Sequence, residues 1–218
     1  MIIVEQKPFD EILEMLEGHK THEVLIVGCN GCAGIYQAGG EKQVEVMGML
    51  LEMAHKLKGN NMKTRNVTVL RQCDRQIVAT AIKPVIEGDE VILSMGCGAG
   101  VQTIAETIED RFVLPAHNTM FIGMQERELG ELHEKCKACG DCILDETGGI
   151  CPITMCAKSL LNGPCGGYAD GKCEVDDYTH DCAWCQIYEK LKRLDRLDLF
   201  TKPRLPRDWR VSLSPRNL

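Results

Sequence analysis

Cysteine limits what this chain can become more than any other residue type. Thirteen cysteines fall in 218 residues, at Cys29, Cys32, Cys73, Cys97, Cys136, Cys139, Cys142, Cys151, Cys156, Cys165, Cys173, Cys182 and Cys185. Thiols at short, regular spacings serve as disulfide frameworks in oxidising compartments and as metal ligands in reducing ones. The start, MIIVEQKPFDEILEMLEGHK, is acidic and amphipathic, without the basic region, apolar stretch and small-residue cleavage site of a signal peptide. No apolar run reaches the ~18 residues of a membrane span. Both observations predict a cytoplasmic protein, so the thiols are expected to bind metal. A formal net charge of −7 argues against a general nucleic-acid binder, which would be basic.

Periodicity divides the chain. Apolar residues at helical spacing predict helices over Phe9–Gly18, Glu41–Gly59, Asp74–Gly88 (interrupted by Pro84) and Gly100–Asp110. Short apolar runs predict strands over Glu23–Gly28, Val67–Leu70 and Val91–Gly96. Phe112–Met124 supplies a last strand or a crossing loop. Strands alternating with helices imply an α/β domain over residues 1–125, built on a doubly wound, flavodoxin- or Rossmann-like parallel sheet. Composition changes at Glu126, and nine cysteines crowd the stretch from Cys136 to Cys185. Such density leaves little room for an ordinary core, so residues 126–200 are expected to form a small cysteine-rich domain organised by metal. It ends in an amphipathic helix over Ala183–Phe200. A basic, proline-containing tail, 201–218, is expected to be a disordered end or to dock on a partner through Trp209.

Two constellations carry chemistry. Cys29 and Cys32 follow the first predicted strand in GCNGC, Cys73 follows the second, and Cys97 follows the third in MGCGAG. In an open parallel sheet the carboxyl ends of the strands share one edge, so these four thiols can converge. The helices that follow aim their positive ends at the same place. The glycines do not spell G-x-G-x-x-G, which argues against a dinucleotide loop. A thioredoxin-like redox pair at Cys29 and Cys32 would leave Cys73 and Cys97 unexplained. A four-thiolate site uses all four, with an iron–sulfur cube preferred over zinc.

The second constellation is KCKACGDC, which spaces Cys136, Cys139 and Cys142 as a ferredoxin does. Cys151-Pro152 follows after a longer spacer than the bacterial ferredoxin run allows, so Cys151 could serve this cluster or a neighbour. A zinc knuckle usually pairs two hooks of two cysteines, and the third cysteine at the same step favours iron–sulfur. With Cys156, Cys165, Cys173 and Cys182 the region holds two sets of four, leaving Cys185 as an ordinary thiol inside the last helix. Among the histidines only His133, beside the cysteine run, is kept as a possible ligand; an exposed histidine is the plainer reading. In LNGPCGG, Pro164 is expected to fix where Cys165 points, with Gly166 and Gly167 leaving room for a cluster.

From Lys135 to Leu191 the ordered elements KCKACGDC, TGGICP, NGPCGG, GKCEV and DCAWC resemble the methylenetetrahydrofolate reductase C-terminal domain family. Its stand-alone form is the small MetV-type subunit found beside a flavin-bearing catalytic subunit in bacteria using the reductive acetyl-CoA pathway. The resemblance implies [4Fe-4S] clusters, with zinc possible in one site. It also implies Cys136, Cys139, Cys142, Cys151, Cys156, Cys165, Cys173 and Cys182 as ligands. The function it implies is electron delivery to the flavin of a partner methylenetetrahydrofolate reductase subunit, from ferredoxin or another donor complex. No flavin motif or acid–base constellation stands out, and a folate-reducing barrel needs about 250 residues of its own. The chain therefore reads as a non-catalytic subunit. A zinc-stabilised adaptor of a redox complex is the alternative, and a dithiol enzyme using Cys29 and Cys32 a minor third.

Overall fold

The computed structural model describes residues 1–212 and Pro215. Two compact units emerge, Met1–Phe121 and Ile122–Leu218. The first runs β1 (Ile2–Gln6), α1 (Phe9–Gly18), β2 (Glu23–Cys29), α2 (Cys32–Ile35), α3 (Glu41–Leu57), β3 (Lys63–Val69), α4 (Arg75–Ile77), β4 (Val91–Met95), α5 (Gly98–Thr107), β5 (Val113–Pro115) and the start of β6 (His117–Glu126).

β2 sits inside the main sheet because it is apolar on both faces. Val24 and Ile26 face one way, and Leu25 and Val27 the other. β2, β3, β4 and β5 form a four-stranded parallel sheet in the order β3-β2-β4-β5. One face is covered by Ile12, Leu13 and Leu16 of α1 and by Val44, Met47 and Leu51 of α3. The other packs against Val78, Ile82, Ile104 and Ile108. Full burial of each such side chain stabilises by about 1.5–3 kcal/mol. Gly48 lets α3 lie close to β3, since a Cβ there would stand 3.1 Å from the Thr64 hydroxyl. The outer side of α3 is also apolar, with Val46, Met49, Leu50 and Met53 exposed.

The sheet and its helical cover match the α/β expectation, with local departures. The segment after Cys73 is not one helix. It starts as α4, capped by the Asp74 carboxylate, which accepts from the amides of Gln76 (3.0 Å) and Ile77 (3.1 Å). It then widens into a π turn over Val78–Ile82 and tightens into a 3-10 turn over Lys83–Val85. Pro84 lacks the N–H that a regular ladder would use there, so the helix cannot continue unchanged. β3 begins at Lys63, ahead of the apolar VTVL stretch, because its polar front half pairs with β2 as an edge strand.

The second unit holds the end of β6, β7 (Glu131–Cys136), α6 (Pro152–Met155), α7 (Ala183–Arg193) and α8 (Leu197–Thr201), joined by long loops. β6 and β7 form an antiparallel hairpin that brings Met124 opposite His133 and Glu126 opposite Glu131. The buried cluster is small: Trp184, Ile187 and Leu191 of α7, with Ile150, Leu160, Leu199 and Phe200 around them. Charged side chains hold the tail from 202 to 208, while Leu205 and Trp209 stay exposed. Glu146 binds both Lys202 (2.5 Å) and Arg204 (2.8 Å). Asn162 pairs with the Arg204 backbone in both directions, at 2.9 and 2.7 Å. The expectation for the last residues, 213–214 and 216–218, falls outside the described residues.

Candidate metal centres

The first four thiols hang from the carboxyl edge of the sheet. Cys29 ends β2, Cys32 opens α2, Cys73 follows β3, and Cys97 is the N-cap of α5. The chain leaves β2 toward β3 and returns on the other side of β2 as β4, so this edge is where strand order reverses. Cys29, Cys32 and Cys97 are all within electrostatic reach of Cys73. Burial pushes the Cys73 thiol above its ordinary pKa, and Cys97, Cys29 and Cys32 push the same way. Tyr36 roofs the group. Its pKa is raised chiefly by burial, with Cys32, Cys97 and Cys29 adding to it. Its hydroxyl accepts from the Val4 amide and lies 3.3 Å from the Ile2 carbonyl oxygen, tying β1 to the loop after α2.

Two features of this edge escaped the sequence reading. Gln72, 1 % exposed, spans the sheet beneath the thiols. Its Nε2 donates to the Val27 carbonyl (2.8 Å), and its Oε1 accepts from the Ser94 hydroxyl (2.7 Å). A Cβ on Gly96 would stand 2.2 Å from that Oε1, and one on Gly100 2.8 Å from it, so both glycines make way for Gln72. The glutamine thus fixes Cys73 relative to the loop that carries Cys97. Gly39 is equally constrained, since its Cβ would lie 1.9 Å from the Met95 carbonyl oxygen. His117, 3 % exposed, lies behind the loop with neither ring nitrogen in a well-formed hydrogen bond among the described residues. Burial holds its pKa down, against the pull of the backbone at Ala38, Gly96 and Met95.

In the second unit the remaining thiols separate into two sets. Cys136, Cys139, Cys142 and Cys151 line one cavity of about 360 Å³, together with Lys135, Lys137 and Arg207. Ala138 adopts a left-handed φ of 51°, and its amide donates to the Cys136 sulfur at 3.3 Å. Cys156, Cys165, Cys173 and Cys182 line a small void of about 20 Å³ against Trp184. The single turn of α6 parts the sets. Cys151 is its N-cap, with Pro152 in the first turn, and Cys156 is its C-cap. Each of the three groups has one cysteine at a helix N-cap: Cys97 on α5, Cys151 on α6 and Cys182 on α7. A helix N-terminus favours the anionic thiolate that a metal needs.

Cys185 joins neither set of four. It lines a separate aromatic cleft with Tyr168, Trp184, Tyr188 and Phe200. Burial, with the Cys182 sulfur beside it, pushes its pKa up to about 11, so it is a neutral thiol. Around Cys165, Gly163 (φ 103°) and Gly166 (φ 81°) take conformations that favour glycine. The space beside Gly167 is not left for a cluster: its Cβ would lie 1.9 Å from the Glu174 carboxyl carbon. That carboxylate accepts from Lys158 and from the Cys165 thiol (3.4 Å), and its pKa is held down by Lys158 first and Cys165 next. His133 faces carboxylates, its Nε2 3.2 Å from Glu126 and 3.3 Å from Glu131.

Donor chemistry tests what these groups suit. Each group offers four sulfurs, the set that favours zinc or iron–sulfur, although the carboxylates of Asp141 and Glu174 also line the second and third. Among the described residues no three cysteine sulfurs come within 4.8 Å of one another. A zinc tetrathiolate holds its sulfurs about 3.8 Å apart, whereas a cube sets a shell of iron between them.

Residues 114–210 match the family model described as methylene-tetrahydrofolate reductase C terminal. That segment of the chain is similar to this family. It contains every thiol from Cys136 to Cys185, together with Arg204 and Arg207, whereas the four strand-end thiols lie outside it. No curated protein and no solved structure matches the chain. The matched segment begins inside β5, so it takes in the whole β6–β7 hairpin.

Proposed function

We propose that this chain is the iron–sulfur electron-transfer subunit of a methylenetetrahydrofolate reductase. It delivers electrons to the flavin of a catalytic partner, which converts methylene- to methyltetrahydrofolate. The observation that carries the reading is the sorting of twelve cysteines into three groups of four, one at the sheet edge and one around each of two voids. The family match to the segment holding two of the groups supplies the reductase.

Bound [4Fe-4S] clusters supply one-electron transfer, and a flavin can combine single electrons into a hydride. The residues of this chain hold and bias that chemistry. Cys29, Cys32, Cys73 and Cys97 would hold one cluster, Cys136, Cys139, Cys142 and Cys151 a second, and Cys156, Cys165, Cys173 and Cys182 a third. The N-termini of α5, α6 and α7 stabilise the thiolate at one corner of each. The Ala138 amide donates to a ligand sulfur, which tunes potential as outer hydrogen bonds do.

Anaerobic purification with the co-purifying partner tests the reading. The expected protein is brown, bleaches with dithionite and supports dye-coupled folate reduction only with the partner. Cys139→Ser and Cys165→Ser should each remove iron and reduce that coupling. A colourless chain holding zinc alone would instead establish the structural adaptor.

A further inference from the structure

The second thiol group has a cation built into its wall. The Arg207 side chain is only 5 % exposed and lines the same cavity as Cys136, Cys139, Cys142 and Cys151. Its Nη2 donates to the Asp141 backbone carbonyl and lies 3.3 Å from the Asp141 carboxylate. Its guanidinium stands 5.5 Å from the centre of the Trp209 ring. Its Nη1 is buried with no hydrogen-bond partner among the described residues. Buried charges are paired or hydrogen-bonded, and an orphaned guanidinium donor marks a missing acceptor. Besides Asp141, the cavity wall is otherwise sulfur, apolar carbon and two lysines. Lys137 is half-exposed and already paired with Glu134 at 2.6 Å.

The tail is routed to put Arg207 there. Arg204, 7 % exposed, binds the Glu146 carboxylate (2.8 Å) and the carbonyls of Glu146 (3.1 Å) and Leu161 (3.2 Å). Pro203 and Pro206 restrict the backbone on either side of it. A segment fixed this firmly delivers the next arginine to one place.

We propose that Arg207 is the counter-charge of the cluster held by Cys136, Cys139, Cys142 and Cys151, with Nη1 donating to a sulfur of that site. The inference rests on the iron–sulfur reading above. Four thiolates around a cube are net anionic, and one electron more so when reduced. A fixed cation with a sulfur hydrogen bond therefore favours the reduced state and raises the reduction potential.

The test is an EPR-monitored redox titration of the full-length holoprotein. The signal belonging to this site is the one that Cys139→Ser abolishes. Arg207→Gln should keep its iron and shift that signal's equilibrium about tenfold toward the oxidised form, some 59 mV more negative for one electron. Arg207→Lys, which keeps the charge, should recover most of the shift. An unchanged midpoint in Arg207→Gln overturns the proposal while leaving the cluster in place. If Cys139→Ser loses neither iron nor any signal, the cluster reading itself fails. Should Arg207→Gln lose the iron, Arg207→Lys decides. A loaded lysine variant near the parent potential upholds the counter-charge, and an empty one overturns it.

Discussion

The two units hold their thiols in opposite ways. In the first, a sheet buried on both faces exists independently of its sulfurs, which hang from loops at one edge. In the second, one short cluster around Trp184 is the main apolar core, and the loops between Cys136 and Cys182 carry little regular structure. The sheet gives its site a frame before any metal arrives. On the proposed cluster reading, the second unit would obtain much of its order from metal, because binding free energy would there be folding free energy.

The largest effect should therefore come from metal removal. Chelation under anaerobic conditions is expected to unfold the loops between Cys136 and Cys182 while β2, β3 and β4 stay protected, as read by amide hydrogen exchange. Equal loss of protection in both units would erase the contrast. Next in size is Trp184→Ala. The indole is 1 % exposed, donates to the Leu160 carbonyl at 3.0 Å and meets Phe200 edge-on at 5.8 Å. Its truncation should cost about 3–5 kcal/mol. In so small a core that loss should release the iron of both second-unit sites at lower temperature and leave the sheet site's iron in place. Absorbance melts of the holoprotein check this.

The contrast also explains what the sequence could say. Long apolar periods report burial directly, so Phe9–Gly18 appears as a helix with the bounds that its residues imply. β1 and β7 were not legible. IIVEQ buries only its second and third residues, and ELHEKC buries none fully, so neither shows the alternation that marks a half-buried strand. The thiol groups divide similarly. Local spacing ties Cys136, Cys139 and Cys142 together, and the order of strands ties Cys29, Cys32, Cys73 and Cys97. Whether Cys151 stands with Cys136, Cys139 and Cys142 or with Cys156, Cys165, Cys173 and Cys182 depends on which end of a one-turn helix it caps, and spacing does not encode that. Gln72 and Arg207 left no signal, because each acts on residues distant in sequence: Gln72 on Val27, Arg207 on Asp141.

Gln72→Leu is a smaller probe that belongs to the sheet alone. It keeps the bulk and removes the bonds, leaving the Ser94 hydroxyl and the Val27 carbonyl without this partner. Unsatisfied groups of that kind cost about 1–3 kcal/mol. Urea unfolding of the first unit should shift by that amount. Iron bound through Cys73 and Cys97 should become easier to chelate, with the second-unit sites unchanged. A chelation rate equal to the parent's would show that Gln72 holds the sheet and not the site.

The smallest effect concerns His117, and it depends on pH. Its folded pKa is held below the ordinary imidazole value of about 6.5 by burial. The unfolded chain therefore takes up the proton more readily than the native one. Stability linked to this group is complete above about pH 6.5 and is lost as pH falls from there toward the folded pKa. His117→Phe retains the ring shape and gives up no well-formed hydrogen bond, since neither nitrogen has one. At pH 8 the two proteins should unfold at nearly the same urea concentration. Below pH 6.5 the phenylalanine variant should become progressively the more stable, because it has no proton to refuse. Comparing the pair in one buffer cancels every other titrating group. A difference that stays flat between pH 8 and pH 5.5 would mean that water or a polar neighbour reaches the imidazole.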